Sequence, residues 1–376
     1  MSEVIHKIDA WACRVALPAP VDLGSFSVTT RHYAALRIET SDGRRADLVS
    51  HTRGSPIDVA IVDLLAPHLI GRNPDDVSGR HADFRNATVA LERDGVIGRA
   101  WSLIDIALHA INACGASLPV WALLNGSARE LTVLLVEGYP LSGESDAAFV
   151  DRLVARVEEG YKALKIAGGC YPDWRTLERR LRGIRSRAPR CRLVVDLSWS
   201  WSRAADHTEL LAALGDLGVD WIEDAFPREA TAEYARAAQL TRAPLGCGDE
   251  ATRIADLLAL VDTGALRVVR LDATALGGFT AVVPLAHRLV TSGLRVSFHE
   301  NPEIHEHCAL ASRDVDHIEM FPSDMRFDVR SALTLGSAHE RVRDGCLIPA
   351  AAPGLGVTLD LEQVARFAVR HGGVSA

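Results

Sequence analysis

Three acidic residues recur at a spacing with chemical meaning. Asp196 ends the apolar run 193–195, Glu223 follows Trp221-Ile222, and Asp249 follows the run 245–248; the separations are 27 and 26 residues. That is about one strand-plus-helix unit each, so three carboxylates on consecutive strand ends would converge at one mouth. Carboxylates pushed together repel unless a cation neutralises them, and an all-oxygen set suits Mg²⁺, with water and substrate oxygens completing six ligands. Glu250, next to Asp249, is a rival third ligand, because strand alternation lets only one of the pair point inward. The next two strand ends add Asp272, after 268–271, and His299, after 296–298. Facing each other, they form an Asp–His dyad in which the carboxylate fixes the imidazole tautomer and raises its basicity, as a general base requires. Glu319, in the run 318–321, would donate to a developing enolate oxygen when protonated. The stretch from His299 to His307 resembles a zinc site only superficially. It lacks H-E-x-x-H spacing, and Pro302 breaks the helix such a site needs; His305 and His307 are expected on a helix after the strand.

The elements that must position these residues are short apolar runs alternating with amphipathic stretches. The runs are 131–136, 163–167, 193–197, 221–223, 244–247, 268–271, 296–298 and 318–321. Helical patterns lie at 147–159, 175–187, 208–217, 231–241, 254–263 and 281–292. Eight buried strands separated by helices imply an α/β fold with a parallel sheet closed into a (β/α) barrel. An open doubly wound sheet is the competing arrangement, but no G-x-G-x-x-G follows a strand. Residues 1–125 read as a separate α+β unit: strand alternation at 4–17 and 31–40, a turn at Ser41-Asp42-Gly43, then three helical patterns ending with 99–114.

Bulk properties exclude several classes. The chain has 376 residues, 48% apolar and 24% charged, with a net charge of -8. An acidic balance opposes general nucleic-acid binding, and no run reaches the roughly 18 apolar residues of a membrane span. The N-terminus shows no secretory pattern. Seven cysteines without a C-x-x-C read as buried free thiols in a reducing cytoplasm. Of 41 basic residues only Lys7, Lys162 and Lys165 are lysines, two of them four residues apart or closer.

Taken in order, these residues closely resemble the enolase superfamily, specifically the mandelate racemase/muconate lactonizing enzyme family. The stretches 99–109 and 118–126 are similar to its last cap-domain helix and the passage into the barrel. Trp221-Ile-Glu-Asp224 resembles its second-ligand motif, the stretch 271–278 its sixth-strand motif, and 354–360 its C-terminal return to the cap. The resemblance implies a modified (β/α)7β TIM-like barrel (126–330) under an α+β capping domain (1–125), with a C-terminal segment (331–376) returning to the cap. It also implies Mg²⁺ on Asp196, Glu223 and Asp249, and abstraction of the proton α to a carboxylate to give an enediolate. His299, Asp272 and Glu319 fit the mandelate racemase-like branch, although its third ligand is usually Glu rather than Asp249. A homo-oligomer, dimer or octamer, is expected from the family.

The second strand departs from the family's Lys-x-Lys. Lys165 matches the first lysine, and Ala167 stands where the second, normally catalytic, lysine would be. A racemase needs acid and base on opposite faces, and a methyl group carries no proton. One base, His299, can still remove the α proton and then, as imidazolium, protonate the departing β-hydroxyl on the same face. That is syn dehydration of an acid sugar to a 2-keto-3-deoxy acid. The alternatives are a racemase or epimerase using Lys165 or a cap residue on the second face, and a degraded member that binds a carboxylate without turnover. Asp-x-Asn becomes Asp196-Leu-Ser198-Trp199, with Trp199 or Trp201 as a pocket wall. The cap segments 21–32 and 51–56 are expected to close over the substrate, with Arg31, His32 or Arg53 meeting its hydroxyls or distal carboxylate.

Overall fold

A computed structural model describes residues 3–22, 27–91, 93–171, 173–324 and 327–376; part of the expected cap segment, 23–26, lies outside them. Seven strands in sequence order carry the first seven apolar runs: β4 (Leu131–Glu137), β5 (Ala163–Ala167), β6 (Arg192–Asp196), β7 (Trp221–Glu223), β8 (Leu245–Cys247), β9 (Leu266–Leu271) and β10 (Arg295–Phe298). They pair in parallel with their sequence neighbours, and the eighth, β11 (His317–Met320), pairs in parallel with β4. Seven helices connect these eight strands, giving a (β/α)7β barrel. The strands are covered on both sides, which explains their continuous rather than alternating hydrophobicity. Leu134, Ala163, Val194, Trp221 and Val268 form a buried layer of their own in the barrel interior. Two residues further along, side-chain alternation puts Lys165, Asp196, Glu223 and Arg270 inward on four of these strands, while β4 carries Val136.

The connecting helices start where the sequence supplies caps. Ser145 accepts from Ala148 N at 3.2 Å at the start of Asp146–Glu158, and Asp173 accepts from Arg175 N and Thr176 N at the start of Trp174–Arg187. Such caps satisfy amide donors that the first turn leaves free. Pro302 does not break a helix. It sits in the first turn of Pro302–Ala311, where its missing N–H costs nothing, and His305 and His307 lie on that helix, fully buried.

The cap is a four-stranded antiparallel sheet. Its strands are β1 (Ile5–Asp22), β2 (Ser27–Thr40) and β3 (Arg45–His51), with the C-terminal strand Ala368–Ser375 paired to β1. Side chains of the cap helix Val96–Gly115, among them Ser102 and Asp105, join it to the barrel. Ser102 Oγ accepts from Gly277 N at 2.8 Å, and Asp105 Oδ2 accepts from Thr280 Oγ1 at 2.6 Å, at the start of the barrel helix Gly278–Thr291.

Candidate active site and metal centre

β6 and β7 pair with Asp196 opposite Glu223, and Asp249 stands two residues beyond the end of β8. One oxygen from each of the three carboxylates lies within 4.8 Å of the others, a spacing that a single ion can bridge. Each carboxylate has its other oxygen held by protein. Asp196 Oδ1 accepts from Ser198 N at 2.8 Å and from Ser198 Oγ at 3.3 Å; Glu223 Oε2 accepts from Trp221 Nε1 at 2.8 Å. Asp249 Oδ1 accepts from Arg270 Nε at 2.7 Å. The remaining oxygens surround the Lys165 ammonium: Glu223 Oε1 at 2.7 Å, Asp196 Oδ2 at 3.3 Å and Asp249 Oδ2 at 3.7 Å from Nζ, with Glu319 Oε2 at 2.9 Å. Three convergent oxygens, each with its partner oxygen tied back, fit a small hard divalent cation. Glu250 is not among them. It turns to the cap, where Arg53 Nε lies at 2.7 Å and Arg99 Nη1 at 3.4 Å.

Burial alone would strip Lys165 of its proton, but Glu223, Glu319 and Asp196 hold its ammonium well above the ordinary lysine range. Glu319 differs from the sequence expectation of a protonated donor. Burial favours the neutral acid, yet the Arg270 guanidinium and Lys165 hold the Glu319 carboxyl below the usual range, so it stands as an acceptor. Arg270 was not anticipated from the sequence. It is fully buried, two residues before Asp272 on the same inward face of β9, and that spacing was the available signal.

The dyad forms as expected. His299 Nδ1 lies 3.2 Å from Asp272 Oδ2, while Asp272 Oδ1 accepts from Thr274 N at 2.8 Å and Thr274 Oγ1 at 2.6 Å. The other ring nitrogen, Nε2, faces the site, 3.8 Å from Asp249 Oδ2 and 3.9 Å from Glu300 Oε1. Burial pulls the imidazolium down, but Asp249, Asp272 and Glu300 outweigh it and push His299 up to about 10. Across the mouth, Ala167 closes β5 opposite Asp196 and offers only its methyl group.

The residues that turn the chain out of these strands are conformationally unusual. Ser198, Trp199, Asp224, Glu250, Glu300 and Asn301 all have positive φ without being glycine. Such backbone costs of order 1–3 kcal/mol per residue and collects where function over-determines the structure. Trp199 lines a cleft with Arg53, Pro227, Arg228, Glu229 and Glu250. Trp201 packs in the core instead, stacked 4.0 Å from His207 and edge-on to Phe226. From the cap, Arg31 reaches the mouth with Nη2 3.2 Å from Glu300 Oε1 and its guanidinium over Phe327. His32, the next residue on β2, faces the opposite side beside Arg14, Cys13 and Gly54; it is not part of this mouth. Among the described residues, buried Arg31 Nε, His51 Nδ1 and Trp199 Nε1 find no hydrogen-bond partner.

An acidic triad and an Asp–His dyad thus stand together at the strand ends of a capped (β/α)7β barrel. Residues 7–125 match the Mandelate racemase / muconate lactonizing enzyme, N-terminal domain, and residues 148–364 match the Enolase C-terminal domain-like family. The chain belongs to this mandelate racemase/muconate lactonizing enzyme family of the enolase superfamily. It is 25% identical to the D-galactonate dehydratase family member RspA of Halomonas elongata, over 91% of this chain and 93% of that protein. It is 24% identical to a D-mannonate dehydratase of Caulobacter sp., over 88% and 90%. In structure it is similar to L-talarate dehydratase from Polaromonas, complexed with Mg and L-glucarate: TM-score 0.85, 23% identity, 100% of both chains.

Proposed function

We propose that the protein is a Mg²⁺-dependent dehydratase of acid sugars, yielding a 2-keto-3-deoxy acid. The observation that carries this reading is a single proton-transfer group: His299 Nε2 aimed into the site, backed by Asp272, with Ala167 across the mouth. Relatives with dehydratase names over 91% and 88% of the chain support it. Asp196, Glu223 and Asp249 would hold the cation, which when bound offsets negative charge building on the substrate carboxylate. Lys165, with Nζ 2.7 Å from Glu223 Oε1 and 2.9 Å from Glu319 Oε2, would add a second positive charge beside it. His299 takes the proton from C2. As imidazolium it returns that proton to the hydroxyl leaving C3, so water departs and the resulting enol becomes the 2-keto acid. Asp272 keeps Nδ1 as the donor nitrogen, which leaves Nε2 as the working atom. Hydroxyls along the substrate would satisfy the free Nε of Arg31 and Nε1 of Trp199, and Ser198 supports Asp196 rather than contacting substrate. We place the protein in the cytoplasm, where its free thiols stay reduced, as a homo-oligomer.

A racemase would need a second proton-transfer group on the face opposite His299, where Ala167 offers only a methyl group. The test is a screen of mono- and diacid sugars with Mg²⁺ for 2-keto products. His299→Asn should remove dehydration entirely. Deuterium uptake from solvent at C2 without loss of water would favour epimerisation, and turnover retained in His299→Asn would sink the one-base mechanism.

A further inference from the structure

We infer that Arg270 is a positioning residue of the cation site: its guanidinium sets which oxygen of Glu223 and Asp249 faces the ion. The inference rests on the reading of the acidic triad as a divalent cation site. Arg270 is buried to 0% exposure in the barrel. Nε lies 2.7 Å from Asp249 Oδ1 and 3.1 Å from Glu223 Oε2, and Nη2 donates to Glu319 Oε2. Nη1 donates on its other side to Ser297 Oγ and, at 3.2 Å, to Phe298 O. Ser297 Oγ is itself 2.8 Å from His317 Nε2, so the anchor is built into β10 and β11.

The choice of oxygens is what matters. Arg270 takes Oδ1 of Asp249 and Oε2 of Glu223, and those are the oxygens turned away from Lys165. From Arg270, Asp249 Oδ2 receives the longer 3.4 Å contact, through Nη2. A small cation that demands near-octahedral geometry binds best to carboxylates presenting one oxygen each at a fixed angle. A planar fork with several donors can hold two carboxylates and a third acid at once; a lysine ammonium in the same place would supply the charge without the fork. Arg270 thus does for Asp249 what Ser198 does for Asp196 and Trp221 does for Glu223.

The experiment uses the full-length protein stripped with EDTA and titrated with Mn²⁺, free Mn²⁺ being read by electron paramagnetic resonance. Arg270→Lys preserves charge and loses the fork; it should weaken Mn²⁺ binding about tenfold and broaden the bound-ion spectrum. Ser297→Ala leaves every charge in place and loosens the Nη1 anchor; a smaller weakening in the same direction is expected. Arg270→Lys binding Mn²⁺ as tightly as the wild type overturns the inference, since a purely electrostatic role predicts that result. Should Arg270→Lys not fold, an unchanged affinity in Ser297→Ala overturns it equally. A wild-type protein that takes up no Mn²⁺ is a different result: it removes the cation site itself, and the inference with it.

Discussion

At the scale of single residues, the chemistry hangs on which atom of His299 is free. Asp272 sits on Nδ1 at 3.2 Å and is itself held by Thr274 and approached by His305 Nε2 at 3.4 Å, so it cannot swing away. Its negative charge is one of the contributions pushing His299 up to about 10. Asp272→Asn should therefore lower the proposed dehydration by roughly 10²–10⁴-fold. It should also move the acidic limb of the pH profile of kcat/KM to lower pH. The sign follows from the base needing to be neutral: a less stabilised imidazolium gives up its proton at lower pH. A limb that stays in place, or moves up, would show that Asp272 does not act through the imidazole. Most of this constellation was legible, because Asp196, Glu223, Asp249, Asp272 and His299 each close an apolar run. Arg270 and Glu300 were not. Arginine within a strand reads as a solvent-facing side chain until the alternation from Asp272 is followed backward. Glu300 enters the mouth only because its backbone adopts φ 45°, which no periodicity announces.

At the scale of elements, the barrel strands were legible to within a residue or two because burial on both faces writes them as unbroken apolar runs. The C-terminal strand Ala368–Ser375 was not, since its Gly-rich, mostly exposed residues become a strand only by pairing with β1. The turns after the strands are where sequence pattern ends and tertiary constraint begins. Gly248, between β8 and Asp249, has φ 135° and passes so close to β9 that a Cβ there would stand 2.2 Å from the Arg270 carbonyl oxygen. Gly248→Ala must displace one strand end or the other, carrying Asp249 away from Asp196 and Glu223. A loss of roughly 2–4 kcal/mol in stability is expected from overpacking plus backbone strain, with weaker divalent cation binding alongside it. A urea midpoint within error of the wild type would mean the two strand ends yield more easily than their packing implies.

At the scale of the whole molecule, the mouth is closed by charge pairs that run from one part of the chain to another. Arg31 of β2 meets Glu300, Arg53 and Arg99 meet Glu250, and the segment after β11 is tied down by Arg330. Arg330 Nη1 donates to Asn301 Oδ1 at 2.7 Å, two residues from His299, while Asp328 grips its Nη2 at 2.7 Å. Burial would raise the Asp328 carboxyl, but Arg330 beside it prevails and holds it down at about 2. Depressed in the folded state, this group contributes stability that is fully present above its unfolded value of roughly 3.9 and is lost as pH falls through 2. The difference corresponds to about 2–3 kcal/mol at neutral pH. Asp328→Asn should therefore be destabilised by about that amount at pH 7. The gap to wild type should close by roughly half at pH 3, because protonation in the unfolded chain has by then removed much of the advantage. Denaturant midpoints of both proteins between pH 7 and pH 3 measure it directly. A gap that stays constant over that range would show that Asp328 holds Arg330 by shape and hydrogen bonding alone, and that its charge does not help fasten the C-terminal segment beside His299.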